Sequence, residues 1–198
     1  MAKKNIESRI DDIRSGDLVI LTQDEVHLLW GDVLGYVWGE KAARISVPMT
    51  NFRYSQTYYG SLNLFSNKFH LSDHKSGNSE CTIAHLEYLL SLYPSKRLVV
   101  IWDGASYHRS AELKEYLERV NEGLTPEQWR LTLWFFAPNA PEQNPVEDVW
   151  LRGKNYLREH FTECLTFAQT KSLFVEFLNS STFLFEKVKW YTGCLQLN

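Results

Sequence analysis

The chain has 198 residues, of which 44% are hydrophobic and 23% charged, a balance suited to one globular domain with a sizeable core. No run approaches the roughly 18 apolar residues of a membrane span, and the charged segment Met1–Arg14 has no apolar signal core, so a cytoplasmic protein without membrane association is expected. The net charge of −3 argues against a protein that coats nucleic acid with its whole surface, although an acidic site would offset basic residues in that count.

In chain order, residues 5–14 read as a short polar helix closed by Ser15-Gly16. Leu18-Val19-Ile20-Leu21 is a buried strand that is expected to stop at Gln23-Asp24-Glu25. Gly35-Tyr36-Val37-Trp38 and Tyr58–Leu64 follow as strands, with Lys68–Leu71 as the return strand of a hairpin turning at Ser66-Asn67. From Ser79 the period changes: Ile83, Leu86, Leu90 and Tyr93 mark a helix ended by Pro94. Leu98–Trp102 is a second buried strand, and Leu113, Tyr116, Leu117 and Val120 lie on a second amphipathic helix. Leu131–Phe136 is a further apolar strand. Asn144-Pro145 opens a helix to about His160, and Phe167, Phe174, Phe177 and Leu178 mark one more. Strands alternating with helices after an initial meander predict an α/β fold, a mixed sheet flanked by helices in ribonuclease H-like order. The expected divisions are a linker or short helix over 1–16, a catalytic core over 17–162, and a C-terminal helical extension over 163–198 packed on that core. Cys81, Cys164 and Cys194 are too scattered for a disulfide framework or a zinc cluster and read as reduced thiols.

Three acids stand at informative places. Asp24 and Asp103 each follow a buried strand, and Glu147 falls in the first turn of the helix opened by Asn144-Pro145. Strand ends of an open sheet are where sites form. Three converging carboxylates repel one another unless they are solvated, protonated or share a cation, and hard oxygen donors suit magnesium or manganese. Each acid also has a plainer explanation: Asp is common in turns, and Glu three residues after an Asn cap is a capping arrangement.

The sequence around these acids resembles the three catalytic blocks of mariner-like DDE transposases, in particular the bacterial insertion-sequence branch. The resemblance rests on Thr22-Gln23-Asp24-Glu25, on Trp102-Asp103-Gly104-Ala105-Ser106-Tyr107-His108-Arg109-Ser110, and on Ala137–Trp150 with its Asn-Pro-Val-Glu core. Segments Gly35–Glu40 and Tyr58–Asn63 also look like that branch, so the likeness runs from Leu18 to about His160. It implies catalytic and metal-binding roles for Asp24, Asp103 and Glu147, with Glu25 and Asp148 as their neighbours. It implies two Mg2+ or Mn2+ ions, and strand cleavage and transfer on DNA during transposition. The partners implied are transposon-end and target DNA, and a helix-turn-helix DNA-reading region on a separate or upstream chain. A homodimer and a bacterial, nucleoid-associated location are further expectations. The 43 residues between Asp103 and Glu147 exceed the usual spacing, with the surplus assigned to Asn121–Arg130, and Gly104 stands where the family often has Asn. Only about 17 residues precede the first strand, which fits the downstream half of a split transposase. An inactive remnant that binds only DNA or a partner chain, or a ribonuclease H-like nuclease, are the alternatives.

Four other residues are candidates for DNA contact. His108, and Arg109 beside it, follow Asp103; His108 would touch a phosphate or a metal-bound water, or else cap a helix. Lys154 and Arg158 fall nearly in line with Glu147 on one helix, next to an apolar stripe of Val146, Trp150, Leu157 and Phe161. They would hold phosphates or form a solvated flank.

Overall fold

The computed structural model describes residues 2–35, 54–138 and 140–193. The sheet has five strands: β1 (Leu18–Leu29), β2 (Ser55–Asn63), β3 (Phe69–His74), β4 (Arg97–Trp102) and β5 (Leu131–Phe135). Their order across the sheet is β3-β2-β1-β4-β5. The β1–β2 and β2–β3 pairs are antiparallel, and the β1–β4 and β4–β5 pairs are parallel. This is the mixed sheet expected from the sequence.

The helices are α1 (Ala2–Glu7), α2 (Ile10–Arg14), α3 (Ser79–Leu92), α4 (Ala111–Val120), α5 (Pro145–Glu159), α6 (Phe167–Ser180) and α7 (Glu186–Thr192). α3 and α4 cover one face of the sheet through a core of Leu21, Leu86, Leu89, Leu98, Val100, Trp102, Leu113 and Tyr116. α5 and α6 cover the other through Ile20, Val26, Val99, Ile101, Val146, Val149, Trp150 and Phe174. Burial on both faces explains why Leu98–Trp102 is apolar without alternation. On the α3 face His85 is wholly buried. Its ring nitrogens meet Ser61 Oγ at 2.8 Å and Ser72 Oγ at 2.7 Å, and burial pushes its pKa down to about 3, so the ring is a neutral tie between strands and helix.

Several expectations are corrected. The N-terminal helix is two short helices, α1 and α2. β1 does not stop at Gln23-Asp24-Glu25 but runs on to Leu29, because Asp24–Leu29 continue to pair with β2, from Asp24↔Gly60 to Leu29↔Ser55. Asp24 is therefore a mid-strand residue. Phe161 lies in a 3-10 turn after α5 rather than on it. The strand expected at Tyr36–Trp38 lies outside the described residues. The insertion Asn121–Arg130 is an exposed loop, and Asn121 at its start closes it by donating to the Leu131 carbonyl at 2.9 Å and accepting from the Leu131 N–H at 3.1 Å.

Two glycines let α5 sit close to its neighbours. A Cβ on Gly60 would lie 2.4 Å from Phe69 and 2.5 Å from Trp150, and one on Gly153 would lie 2.5 Å from Phe174. Cys164 is buried and Cys81 half-buried, both as free thiols. Among the described residues no helix is long and apolar enough to cross a membrane.

Candidate active site

The site forms where β1 loses its parallel neighbour. The β1–β4 pairing ends at Thr22↔Ile101. Continued two residues further, the same register brings Asp24 level with Asp103, the residue after β4. Side chains alternate along strands, so Asp24 shares a face with Ile20 and Val26, and Asp103 shares it with Val99 and Ile101. That is the face covered by α5.

The helix is pinned at the same place. Asn144 caps α5 by accepting from the Val146 N–H at 3.1 Å, and its amide donates to the Gln23 carbonyl at 3.4 Å, one residue before Asp24. Pro145 supplies the first helical residue, where a missing N–H costs nothing. Glu147 thus projects from the first turn beside Asp24. The three acids line one pocket of about 420 Å³, together with Gly104, Arg109, Phe136, Ala137, Pro138, Ala140 and Asn144.

Electrostatics reflect the crowding. Burial raises the Asp24 carboxyl well above the ordinary carboxylate range, and the charges of Glu25, Glu147 and Asp103 push the same way. Burial also raises Glu147; Lys187 opposes the rise, while Asp148 and Asp103 add to it. Asp103 moves in the other direction, held low chiefly by its hydrogen bond from His108. Burial raises Glu25, whose side chain alternates to the α3–α4 face, toward His108 and Asp103.

The donor set suits a hard divalent cation: three carboxylates in one pocket, two of them, Asp24 and Glu147, with pKa values raised by burial and by their neighbours' charge. Among the described residues no three His, Cys, Asp or Glu side chains are gathered as a ready-made ligand cage. The acids line the pocket and stand apart, as like charges do.

Of the other sequence candidates, Arg109 reaches the pocket, with its guanidinium 5.2 Å from the centre of the Phe135 ring. His108 corrects an expectation: its side chain is 1% exposed and bound to Asp103, so it is sealed away from a DNA phosphate. Lys154 and Arg158 lie about two and three turns down α5 from Glu147, outside the pocket lining. Lys154 pairs with Asp32 at 3.3 Å, and Arg158 donates to Asn155 at 2.7 Å. Asp148 pairs with Lys187 at 3.0 Å. Sequence reasoning missed the supports from α7: Lys187 on Asp148, and the Tyr191 hydroxyl, which donates to the Gln143 carbonyl at 2.8 Å. No sequence signal marks them, because α7 has seven residues, with only Val188 and Tyr191 buried.

A mixed five-stranded sheet with three carboxylates at the mouth of its parallel half defines a ribonuclease H-like catalytic core. The family model described as DDE superfamily endonuclease matches residues 19–167. The chain belongs to that family. No curated protein matches it by sequence. Among solved structures, the catalytic domain of Mos1 mariner transposase has a TM-score of 0.55 at 13% identity, covering 99% of this chain and 84% of that one. A chain of the simian T-cell lymphotropic virus intasome also has a TM-score of 0.55, at 12% identity over 87% of this chain and 53% of that one. The Mos1 mariner paired end complex with Mn gives a TM-score of 0.50 at 14% identity, covering 99% and 58%. The chain thus spans little more than half the length of these last two. At such identities the likeness is one of fold.

Proposed function

We propose that this chain is the catalytic domain of a DDE transposase that cuts DNA at element ends and joins it to a target, with Asp24, Asp103 and Glu147 as the catalytic acids. We place it in the bacterial insertion-sequence branch, on the resemblance of its three acid-bearing blocks. The observation that carries the reading is that Asp24, Asp103 and Glu147 line one pocket, just beyond the last β1–β4 pair Thr22↔Ile101, where Asn144 fastens the helix bearing Glu147 to Gln23.

The three carboxylates would hold two Mg2+ or Mn2+ ions, which when bound activate a water or a 3′-hydroxyl and stabilise the leaving oxygen. The paired end complex with Mn supports that choice of metal. The chain's own contribution is placement. A paired strand carries Asp24, the residue following a second strand is Asp103, and a capped helix N-terminus carries Glu147, so that the acids meet at one pocket. The positive end of α5 favours the ionised form of Glu147. Arg109 at the pocket rim would bind a phosphate flanking the scissile one, with Lys154 and Arg158 as weaker contacts along α5. DNA-end recognition would come from a helix-turn-helix region on a separate or upstream chain, and two copies would bring two ends together.

The test supplies the chain with its DNA-reading partner and element-end DNA. Magnesium or manganese is expected to support nicking and joining, and calcium to support binding with little chemistry, since its looser coordination positions reacting oxygens poorly. DNA binding without cleavage under manganese would instead indicate a non-catalytic remnant.

A further inference from the structure

We propose that His108 is a positioning residue, which clamps the Asp103 carboxylate from beneath so that its other oxygen is presented to the pocket. The inference rests on Asp103 being one of the catalytic acids. Asp103 needs such a clamp, because it lies just past the end of β4 and its side chain is 57% exposed. An exposed carboxylate on an irregular segment would otherwise sample several rotamers, and each ion bound would have to select one.

The structure supplies the restraint in three parts. A 3-10 turn over Ser106–Arg109, closed by the His108 N–H on the Ala105 carbonyl at 3.0 Å, folds the chain back under Asp103. His108 then stacks on the indole of Trp102, centroids 4.1 Å apart and planes 2° from parallel, while Tyr107 meets its ring edge-on at 4.6 Å. Trp102 is itself fully buried, so the imidazole has a fixed floor. Held there, Nδ1 lies 3.0 Å from Asp103 Oδ1 and within hydrogen-bond distance, 3.3 Å, of the Asp103 carbonyl, so it faces both the carboxylate and the main chain of that one residue, and the Ala105 N–H donates to Oδ1 at 3.1 Å. Among the described residues Asp103 Oδ2 accepts no hydrogen bond, and His108 Nε2 is buried without a partner. The ring's polar contacts are thus confined to Asp103, its carbonyl and its Oδ1, and the imidazole and the Ala105 N–H hold that one carboxylate oxygen while the other is left for the pocket. Hydrogen bonds behind a ligating carboxylate characteristically contribute tenfold or more to metal affinity.

The test compares His108→Asn with His108→Gln in the full chain. Both lose the ring and its stacking. The Asn amide nitrogen stands as many bonds from the backbone as Nδ1 and keeps the donor, whereas the Gln amide stands where Nε2 was. Manganese binding by calorimetry, with a thermal melt of each variant, is expected to show His108→Asn near the wild-type affinity and His108→Gln weaker by about tenfold at a similar melting temperature. Wild-type affinity in His108→Gln would overturn the clamp. If wild type takes up no manganese, it is the metal-site reading that fails. The clamp is then judged by the His108 Nδ1 proton in nitrogen-15 NMR, expected to exchange slowly in wild type and to lose that protection in Asp103→Ala. The same spectrum decides if both His108 variants fail to fold, and an unchanged Nδ1 signal in Asp103→Ala would overturn the proposal.

Discussion

Gly60 is where a small change should disturb the active site without touching an acid. It pairs with Asp24 across β1–β2, and the Trp150 ring of α5 lies over its bare backbone. A methyl there would meet Phe69 Cζ at 2.4 Å and Trp150 Cη2 at 2.5 Å, about 1 Å inside ordinary contact. Neither ring can yield easily: Phe69 and Trp150 are both buried, packed edge-to-face at 5.4 Å, and Trp150 also packs on Phe174. Overpacking of this kind costs about 1–3 kcal/mol, partly offset by the roughly 0.4–1 kcal/mol that Gly→Ala removes from unfolded-chain entropy. For a chain of this size, a net cost of about 1–2 kcal/mol lowers the melting temperature by roughly 2–8 °C. Relief would come by moving Trp150, which sits one helical turn after Glu147 and would carry that acid away from Asp24. Gly60→Ala should therefore melt lower and bind manganese more weakly, as measured by a thermal scan and calorimetry on the same preparation. A variant as stable as wild type with unchanged manganese affinity would refute the idea that this close approach sets the site.

Two further predictions follow from charge. Burial, and then the charges of Glu25, Glu147 and Asp103, raise the Asp24 pKa above its unfolded value, so the folded chain holds that proton more tightly than the unfolded chain does. Its contribution to stability is complete below the unfolded pKa and is lost as pH rises through the raised folded value. In chelator, Asp24→Asn should melt higher than wild type at about pH 8, with a smaller difference near pH 5; a variant no more stable at the higher pH would contradict this. Arg109→Ala should weaken DNA binding and lower the log–log salt slope by about one, whereas Lys154→Ala should change it less, because Asp32 already engages that amine. Titrations at several salt concentrations check both, and equal slopes for the two variants would contradict the assignment.

Much of this was legible in the sequence, for local reasons. The Leu98–Trp102 run announces a strand buried on both faces, and Asn144-Pro145 writes a helix start into two residues. What was not legible depends on partners distant along the chain. Gln23-Asp24-Glu25 looks like a strand end because its side chains are polar, yet backbone pairing with Ser61, Gly60 and Tyr59 carries the strand through. The Asn144 bond to Gln23 spans 121 residues, and a capping Asn gives no sign of its second partner. Burial of His108 depends on Trp102 as a stacking floor, which neither residue signals alone. Lys154 looks like a free phosphate ligand until Asp32 is seen beside it.

The central claim is that Asp24, Asp103 and Glu147 act together as one cation-holding site. The most direct measurement is manganese binding by calorimetry to wild type, Asp24→Asn, Asp103→Asn and Glu147→Gln, each confirmed folded. The amides keep the size of the side chains and remove the charge that holds the ions. Wild type is expected to bind manganese, and each single variant to lose most of that affinity. Undiminished binding by Asp103→Asn would contradict the shared site, and with it the strand-cleavage chemistry built on it.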